Sequence, residues 1–234
     1  MVWSWRQTPS SDAEVSELFQ LLSDLFEYRW KPGADKWSWK GDKNGLFSVR
    51  GAKQVLADPG TAAQSEVFIK WKTWTPLKCK IMVWRAALNR LPTKMELLKR
   101  GVLIEDVVCP MCGEDNETLM HLLTGCIVST EIWARVSSWC NITPLIVFDV
   151  KDLLALADLQ PYSKKEKDIL RGIIYTTIWM LWIERNSRVF EGKHRRPLEL
   201  LANIKTVSFF WFRHRSRIKR VEWNTWCNSP LNAL

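Results

Sequence analysis

The chain lacks any apolar run long enough to cross a membrane. Its longest runs are broken by charge well short of the roughly 20 residues that a span needs. The opening residues, Met1-Val2-Trp3-Ser4-Trp5-Arg6, hold no apolar h-region, so no export signal is expected and a reducing compartment, nucleus or cytoplasm, is. There is no internal repeat and no low-complexity tract. Histidine is scarce, with 3 in 234 residues. His194 and His214 lie inside basic stretches with no nameable partner, so neither reads as a catalytic base. No spaced carboxylate set can hold the ions of two-metal phosphoryl chemistry. Glu105-Asp106 and Glu114-Asp115 are adjacent pairs and read as solvated loop charges. Tyrosine is also rare, 3 against 15 Trp. Large aromatics are mostly buried, so about four in five of the tryptophans are expected in the core, with the remainder free to stack on a ligand.

What is present bounds the answer further. At 47% hydrophobic and 25% charged, the chain can bury a core and is no disordered tail. Its net charge is +9, and almost all of it is local. Lys193, Arg195, Arg196, Lys205, Arg213, Arg215, Arg217, Lys219 and Arg220 face one acid, Glu199, which gives that stretch +8. Concentrated positive charge favours a polyanionic partner, most often nucleic acid. Lys78, Lys80, Arg85, Lys99 and Arg100, with Arg90 and Lys94, form a second candidate surface.

The densest chemical signal is Cys109-Pro110-Met111-Cys112, followed by His121 and Cys126, a C-x2-C-x8-H-x4-C spacing. Three thiols and an imidazole are the ligand set of a closed, structural zinc site. A catalytic zinc keeps one position open for water; four protein ligands close it, so the ion holds a shape. Cys79, Cys140 and Cys227 have no framework spacing and read as small hydrophobes. On a continuous helix His121 and Cys126 would face different ways. Gly125 is therefore expected to end the helix in a left-handed residue and return Cys126 to the ion.

By pattern the chain is mainly α with a small β-hairpin. Ser11-Asp12-Ala13-Glu14 is a capping box that opens a helix through Val15, Leu18, Phe19, Leu22 and Leu25. Asp35 to Trp39 and Leu46 to Val49 read as strands around Asn44-Gly45, with a short helix from about Ser48 to Ala57. Pro76 starts a helix, Thr93-Lys94-Met95-Glu96 caps another, and a further helix runs from Ile127 to Trp139. Residues 141–162 read as a linker. Ser163-Lys164-Lys165-Glu166 caps a long helix to about Phe190, and Pro197 starts a last one to about Ile218. The long helix is apolar almost all round, so it must be covered by something. The expected organisation is a helical lead-in over 1–34, a zinc module over 35–140, the linker, and a helical C-terminal unit over 163–234.

A string of motifs carries a family resemblance: Trp37-Ser38-Trp39, Asn44-Gly45-Leu46-Phe47-Ser48-Val49, Trp71-Lys72-Thr73-Trp74, Pro76-Leu77-Lys78-Cys79-Lys80, Trp84-Arg85, Leu91-Pro92-Thr93, Lys99-Arg100-Gly101, the Cys/His cluster with Glu117-Thr118, and Trp133. In this order, over about residues 35 to 135, they resemble the zinc-binding domain that follows the polymerase in plant LINE-type, non-LTR retrotransposon reverse transcriptases. The resemblance implies that Cys109, Cys112, His121 and Cys126 are the ligands of one Zn2+, and that the chain corresponds to the C-terminal part of such a protein. It also implies a role in binding template RNA or target DNA. A Tyr-x-Asp-Asp-like polymerase pair does not occur, so no polymerase activity is expected.

The leading expectation is a non-catalytic, zinc-stabilised module that binds RNA or DNA through basic and aromatic residues, with no membrane and no small-molecule substrate. A protein-interaction or self-association module built on the apolar C-terminal helices, with Trp179 and Trp182 as its contact surface, stays open. So does a retroelement remnant with no selected role.

Overall fold

The computed structural model describes residues 8–26, 37–40, 44–49, 51–52, 69–145, 147–218 and 221–232. They are mainly α-helical, and the chain divides into two compact units, Met1–Ser65 and Glu66–Leu234.

In the first unit, α1 spans Asp12–Phe26. Its capping box forms as expected: the Glu14 amide donates to Ser11 Oγ, and the Ser11 amide to the Glu14 carboxylate at 3.1 Å. The expected hairpin does not become a sheet. The Trp39 amide donates to the Gly45 carbonyl at 2.8 Å, and Trp39 meets Phe47 edge-on at 5.1 Å, but no strand occurs among the described residues. Two cross-turn contacts are too few to stabilise an isolated ladder. At Val49 the helical reading prevails over the strand, because the Ser48 side chain caps the Gly51 amide and the Ala52 amide bonds the Ser48 carbonyl. Asp35, Lys36 and the rest of that short helix beyond Ala52 lie outside the described residues.

The second unit runs α2 (Leu77–Ala87), α3 (Lys94–Lys99), one π turn (His121–Gly125), α4 (Ile127–Cys140), α5 (Val150–Leu159), α6 (Lys164–Glu191), α7 (Pro197–Arg215) and α8 (Trp223–Asn228), then a 3-10 turn (Pro230–Asn232). The 141–162 stretch that reads as a linker holds α5. Asp149 and Asp152 form a capping box there that the sequence pattern did not flag, and Val150, Leu153, Leu154 and Ala157 are buried.

Helix α6 is the axis of this unit. Ser163 and Glu166 cap its start reciprocally, and Gly192, left-handed at φ +64°, ends it. At 28 residues it is about 42 Å long. Its apolar girdle is covered from within the chain, by α2, α5 and α7. Trp182 is buried, and Trp179 lies half-buried beneath the Lys78 ammonium, 5.5 Å from the ring. The cover that the girdle demands therefore comes from the chain's own helices.

The aromatic core joins sequence-distant segments. Trp226 of α8 stacks on Phe212 of α7 at 4.9 Å and meets Trp139 of α4 and Trp74 edge-on at 6.2 Å. Each of these three indole N–H groups has an acceptor: the Asp168 carbonyl for Trp74, the Trp226 carbonyl for Trp139 and Ser208 Oγ for Trp226. The zinc region and the C-terminal helices, expected as successive units, share this core. Among the described residues fewer tryptophans are buried than expected: Trp74, Trp133, Trp139, Trp182 and Trp226 are, while Trp37, Trp71, Trp84 and Trp223 are exposed.

Gly172, in the middle of α6, lies against the Trp74 indole. A Cβ there would come within 2.1 Å of the ring. Gly→Ala inside a helix normally gains roughly 0.5–1 kcal/mol. Here overpacking costs about 1–3 kcal/mol and reverses the sign. Gly172→Ala should lower the melting temperature by several degrees in differential scanning calorimetry.

A second prediction concerns the buried ion pair between Arg185 of α6 and Glu117, with N–O distances of 2.6 and 2.8 Å. Arg185→Met strands a buried carboxylate and should cost about 3–5 kcal/mol in urea unfolding. Adding Glu117→Leu should recover much of that loss.

Candidate metal centre and basic surface

Cys109, Cys112, His121 and Cys126 each point one ligand atom at a common centre, and those atoms lie within 4.8 Å of one another. Tetrahedral zinc with Zn–S near 2.3 Å and Zn–N near 2.0 Å needs ligand atoms about 3.5–4 Å apart, so the cluster fits one ion with little adjustment. Cys109 and Cys126 are buried, and Cys112 and His121 half-buried.

Local backbone chemistry builds the cluster. The Cys109 amide donates to the Asp115 carbonyl and the Gly113 amide to the Cys109 carbonyl, which closes a tight loop. Gly113 takes φ +75°, the left-handed region that glycine adopts freely. A single antiparallel bridge, Val108 to Asn116, seals its base. Backbone amides of Cys112 and Met111 bond the Cys109 sulfur. Cys126 is the N-cap of α4, and its sulfur takes the amides of Val128 and Ser129. Amides aimed at sulfur and a helix N-terminus both favour the thiolate that a metal needs. A hydrogen bond with Cys109, assisted by those amides, lowers the Cys126 pKa, and the same bond raises that of Cys109.

His121 reaches the ion by a device that the sequence pattern does not signal. Gly125 does not turn left-handed. Residues His121–Gly125 form a π turn, closed by the Cys126 amide donating to the His121 carbonyl at 2.6 Å. A turn that bonds i to i+5 brings residues five apart to the same side. Thr118 starts this segment, its hydroxyl accepting from the His121 amide. His121 Nε2 faces the Cys112 sulfur at 3.3 Å, while Nδ1 faces the Asp115 carboxylate at 3.4 Å. A carboxylate behind a ligating imidazole fixes the ring's orientation and raises its basicity. Asp115, which reads in sequence as a solvated loop acid, therefore lies beside the site.

A second layer, also silent in the sequence, comes from α6. Glu117 is fully buried. It accepts two bonds from Arg185 and one from the Lys94 amide at the start of α3. Glu184 is equally buried and is held by Arg188 and Arg195 at 2.8 and 2.9 Å. Burial pushes its carboxyl pKa up, but bonds from the Arg195 amide and both guanidinium groups outweigh that and leave it low. Arg188 also donates to the Met111 carbonyl, inside the Cys109–Cys112 loop, at 2.6 Å. A motif search by spacing finds ligands; it has no signal for partners some 70 residues away.

The basic residues do not form the single patch that their sequence suggests. Helix α7 is 19 residues long, so its ends lie about 28 Å apart. Lys193, Arg195 and Arg196 fall near its start; Lys193 pairs with Glu191 and Arg195 with Glu184. Arg213, Arg215 and Arg217 fall at its far end and are exposed. Lys219 and Arg220 lie outside the described residues. Lys205 donates to the Cys227 carbonyl at 2.9 Å and covers the Trp139 ring. Of the second group, Lys99 pairs with Glu96 and Lys94 with Asp106, while Arg85 and Arg100 are exposed.

Lys80 lies within electrostatic range of Arg215. Burial lowers the Lys80 pKa, and the charge of Arg215 lowers it further. The contact between Trp74 and Phe212, 5.3 Å edge-on, seats the last turns of α7 against this region. Lys80 donates to the carbonyls of Trp71 and Thr73, which leaves one of its three ammonium donors without a partner among the described residues.

The metal centre should behave as a folding element. Chelation, or Cys112→Ser, should expose amides across residues 101–135 to hydrogen exchange and lower the melting temperature, because metal-binding free energy is folding free energy in such sites. Unchanged exchange after verified zinc removal would show that the ion is dispensable.

Residues 47–133 match the family described as zinc-binding in reverse transcriptase. A protein of Arabidopsis thaliana described as a putative ribonuclease H protein is 30% identical over 105 residues, which is 44% of this chain and 17% of that relative. No solved structure matches the chain. All four Cys/His ligands fall within the matched segment, and by that match residues 47–133 are similar to the zinc-binding regions of reverse transcriptases.

Proposed function

We propose that the chain is a non-catalytic, zinc-stabilised nucleic-acid-binding module, derived from the C-terminal region of a plant LINE-type reverse transcriptase. The observation that carries this reading is the exposed positive charge at the end of α7, from Arg213, Arg215 and Arg217, with Arg215 near enough to Lys80 for its charge to lower the lysine's pKa. Like charges within range of one another are unfavourable. A phosphate beside them would offset the repulsion. Arg213, Arg217 and Lys78 flank this pair in sequence and are exposed, and Trp71, whose carbonyl Lys80 holds, is an exposed stacking face.

The relative's putative ribonuclease H chemistry is not carried over. Among the described residues, the group of three or more potential metal-ligating side chains is the Cys/His cluster itself, and the buried acids Glu117 and Glu184 are neutralised by arginines. A closed four-ligand zinc leaves no position for an activated water.

The test is binding of zinc-loaded protein to labelled single-stranded RNA, single-stranded DNA and duplex DNA across a salt series. Affinity should fall steeply with salt. Neutralising Lys80, Arg213, Arg215 and Arg217 should reduce the log–log slope by roughly 0.7–0.9 for each phosphate that these side chains no longer neutralise. Neutralising Lys193 and Arg196 should change it much less. Absence of binding to all three ligands, or a salt-independent affinity, would reject the reading.

A further inference from the structure

We infer that Arg188 is a positioning residue for the metal, acting through the Met111–Cys112 peptide of the Cys109–Cys112 loop. That peptide group has two polar ends. Its N–H, on Cys112, bonds the Cys109 sulfur, and its carbonyl, on Met111, accepts from Arg188 Nη1 at 2.6 Å. The guanidinium thus fixes the plane of the peptide whose amide aims at a ligand sulfur. A cationic donor on the carbonyl also polarises the peptide and strengthens its N–H as a donor.

Arg188 is itself held rigidly. Its Nε donates to Glu184, a carboxylate with no exposed surface, at 2.8 Å, and only 9% of the Arg188 side chain is accessible. Arg195 grips the same carboxylate from the loop after α6, through its side chain at 2.9 Å and its amide at 3.0 Å. Arg195 makes no bond to the Cys109–Cys112 loop among those described, so it serves as an internal control. It shares the buried anion with Arg188 and lacks the link to the sulfur.

Outer-shell partners of metal ligands typically set affinity over a 10–100-fold range. The test is zinc affinity by competition with a chromophoric chelator on the full chain, alongside the ligand-field spectrum of the Co2+ form. Arg188→Met should weaken zinc binding about 10–100-fold and shift the Co2+ bands, with the helical circular dichroism of the loaded protein retained. Arg188→Lys keeps one donor and should fall between the two. Arg195→Met should leave affinity within about threefold of the parent. Parent-like affinity and spectrum in both Arg188 variants would overturn the inference. So would an Arg195→Met loss as large as that of Arg188→Met, because the Glu184 clasp would then act only as general scaffolding. If Arg188→Met fails to fold, Arg188→Lys decides alone: a weaker affinity with shifted bands supports the role, and parent-like values reject it.

Discussion

A carboxylate with no exposed surface is tolerable only when its charge is matched and its lone pairs are filled. Glu117 meets both conditions through Arg185, which binds both its oxygens, and through the Lys94 amide. Three segments apart in sequence are fixed at one point: the start of α3, the residues just after the Cys109–Cys112 loop, and the last third of α6. The Glu117 backbone takes part as well, donating to Val107 and accepting from Met95. Neither partner can leave without stranding the other, so the pair acts as a register pin. It places the metal loop against the long helix in one arrangement, and Arg188, just under one turn further along α6, can then reach the Met111 carbonyl.

The metal cluster depends on that placement and on an unusual backbone. The third ligand, His121, opens a π turn, and the residue that follows the turn, Cys126, is at once the fourth ligand and the N-cap of α4. A regular α-turn would rotate His121 and Cys126 to different faces. An i-to-i+5 bond is rarely stable by itself, and here the surrounding contacts hold it. Ser129 donates to the Leu122 carbonyl and the Trp133 indole to the Leu123 carbonyl, taking up two acceptors that the widened turn leaves without helical partners. The amides freed at the start of α4 go to the Cys126 sulfur. An irregular backbone and metal chemistry therefore meet at the same residues, as they commonly do at π turns.

How much of this is legible in the sequence follows from the range of each signal. The ligands are readable because C-x2-C-x8-H-x4-C is a local constraint imposed by one ion. The caps at Ser11 and Ser163 are readable because a capping box is a four-residue event. The cap at Asp149 is masked because Asn141 and Pro144, at the end of the preceding helix, suggest a linker, although Asp149 and Asp152 satisfy the same rule. The π turn is not readable, since glycine at 125 fits a left-handed ending equally well. The Glu117–Arg185 and Arg188–Met111 links are beyond reach: they span 68 and 77 residues, and an Arg on an apolar helix carries no address. The strands at 37–39 and 46–49 rest on alternation and a turn, and alternation has no force without a partner sheet to bury one face.

Charge is the most misleading signal, for a geometric reason. A run of basic residues on one helix looks like a patch in sequence, but α7 carries its two clusters to opposite ends. At the near end the positive charge is used internally, on Glu184 and Glu191, in pairs that an external anion would have to break. At the far end the charge of Arg215, in the last turn of α7, acts on a lysine from α2, a helix much earlier in the chain. What distinguishes a candidate anion surface is therefore the charge left over after internal pairing, and on that criterion the region around Lys80 and Arg215 outranks the more conspicuous cluster at 193–196.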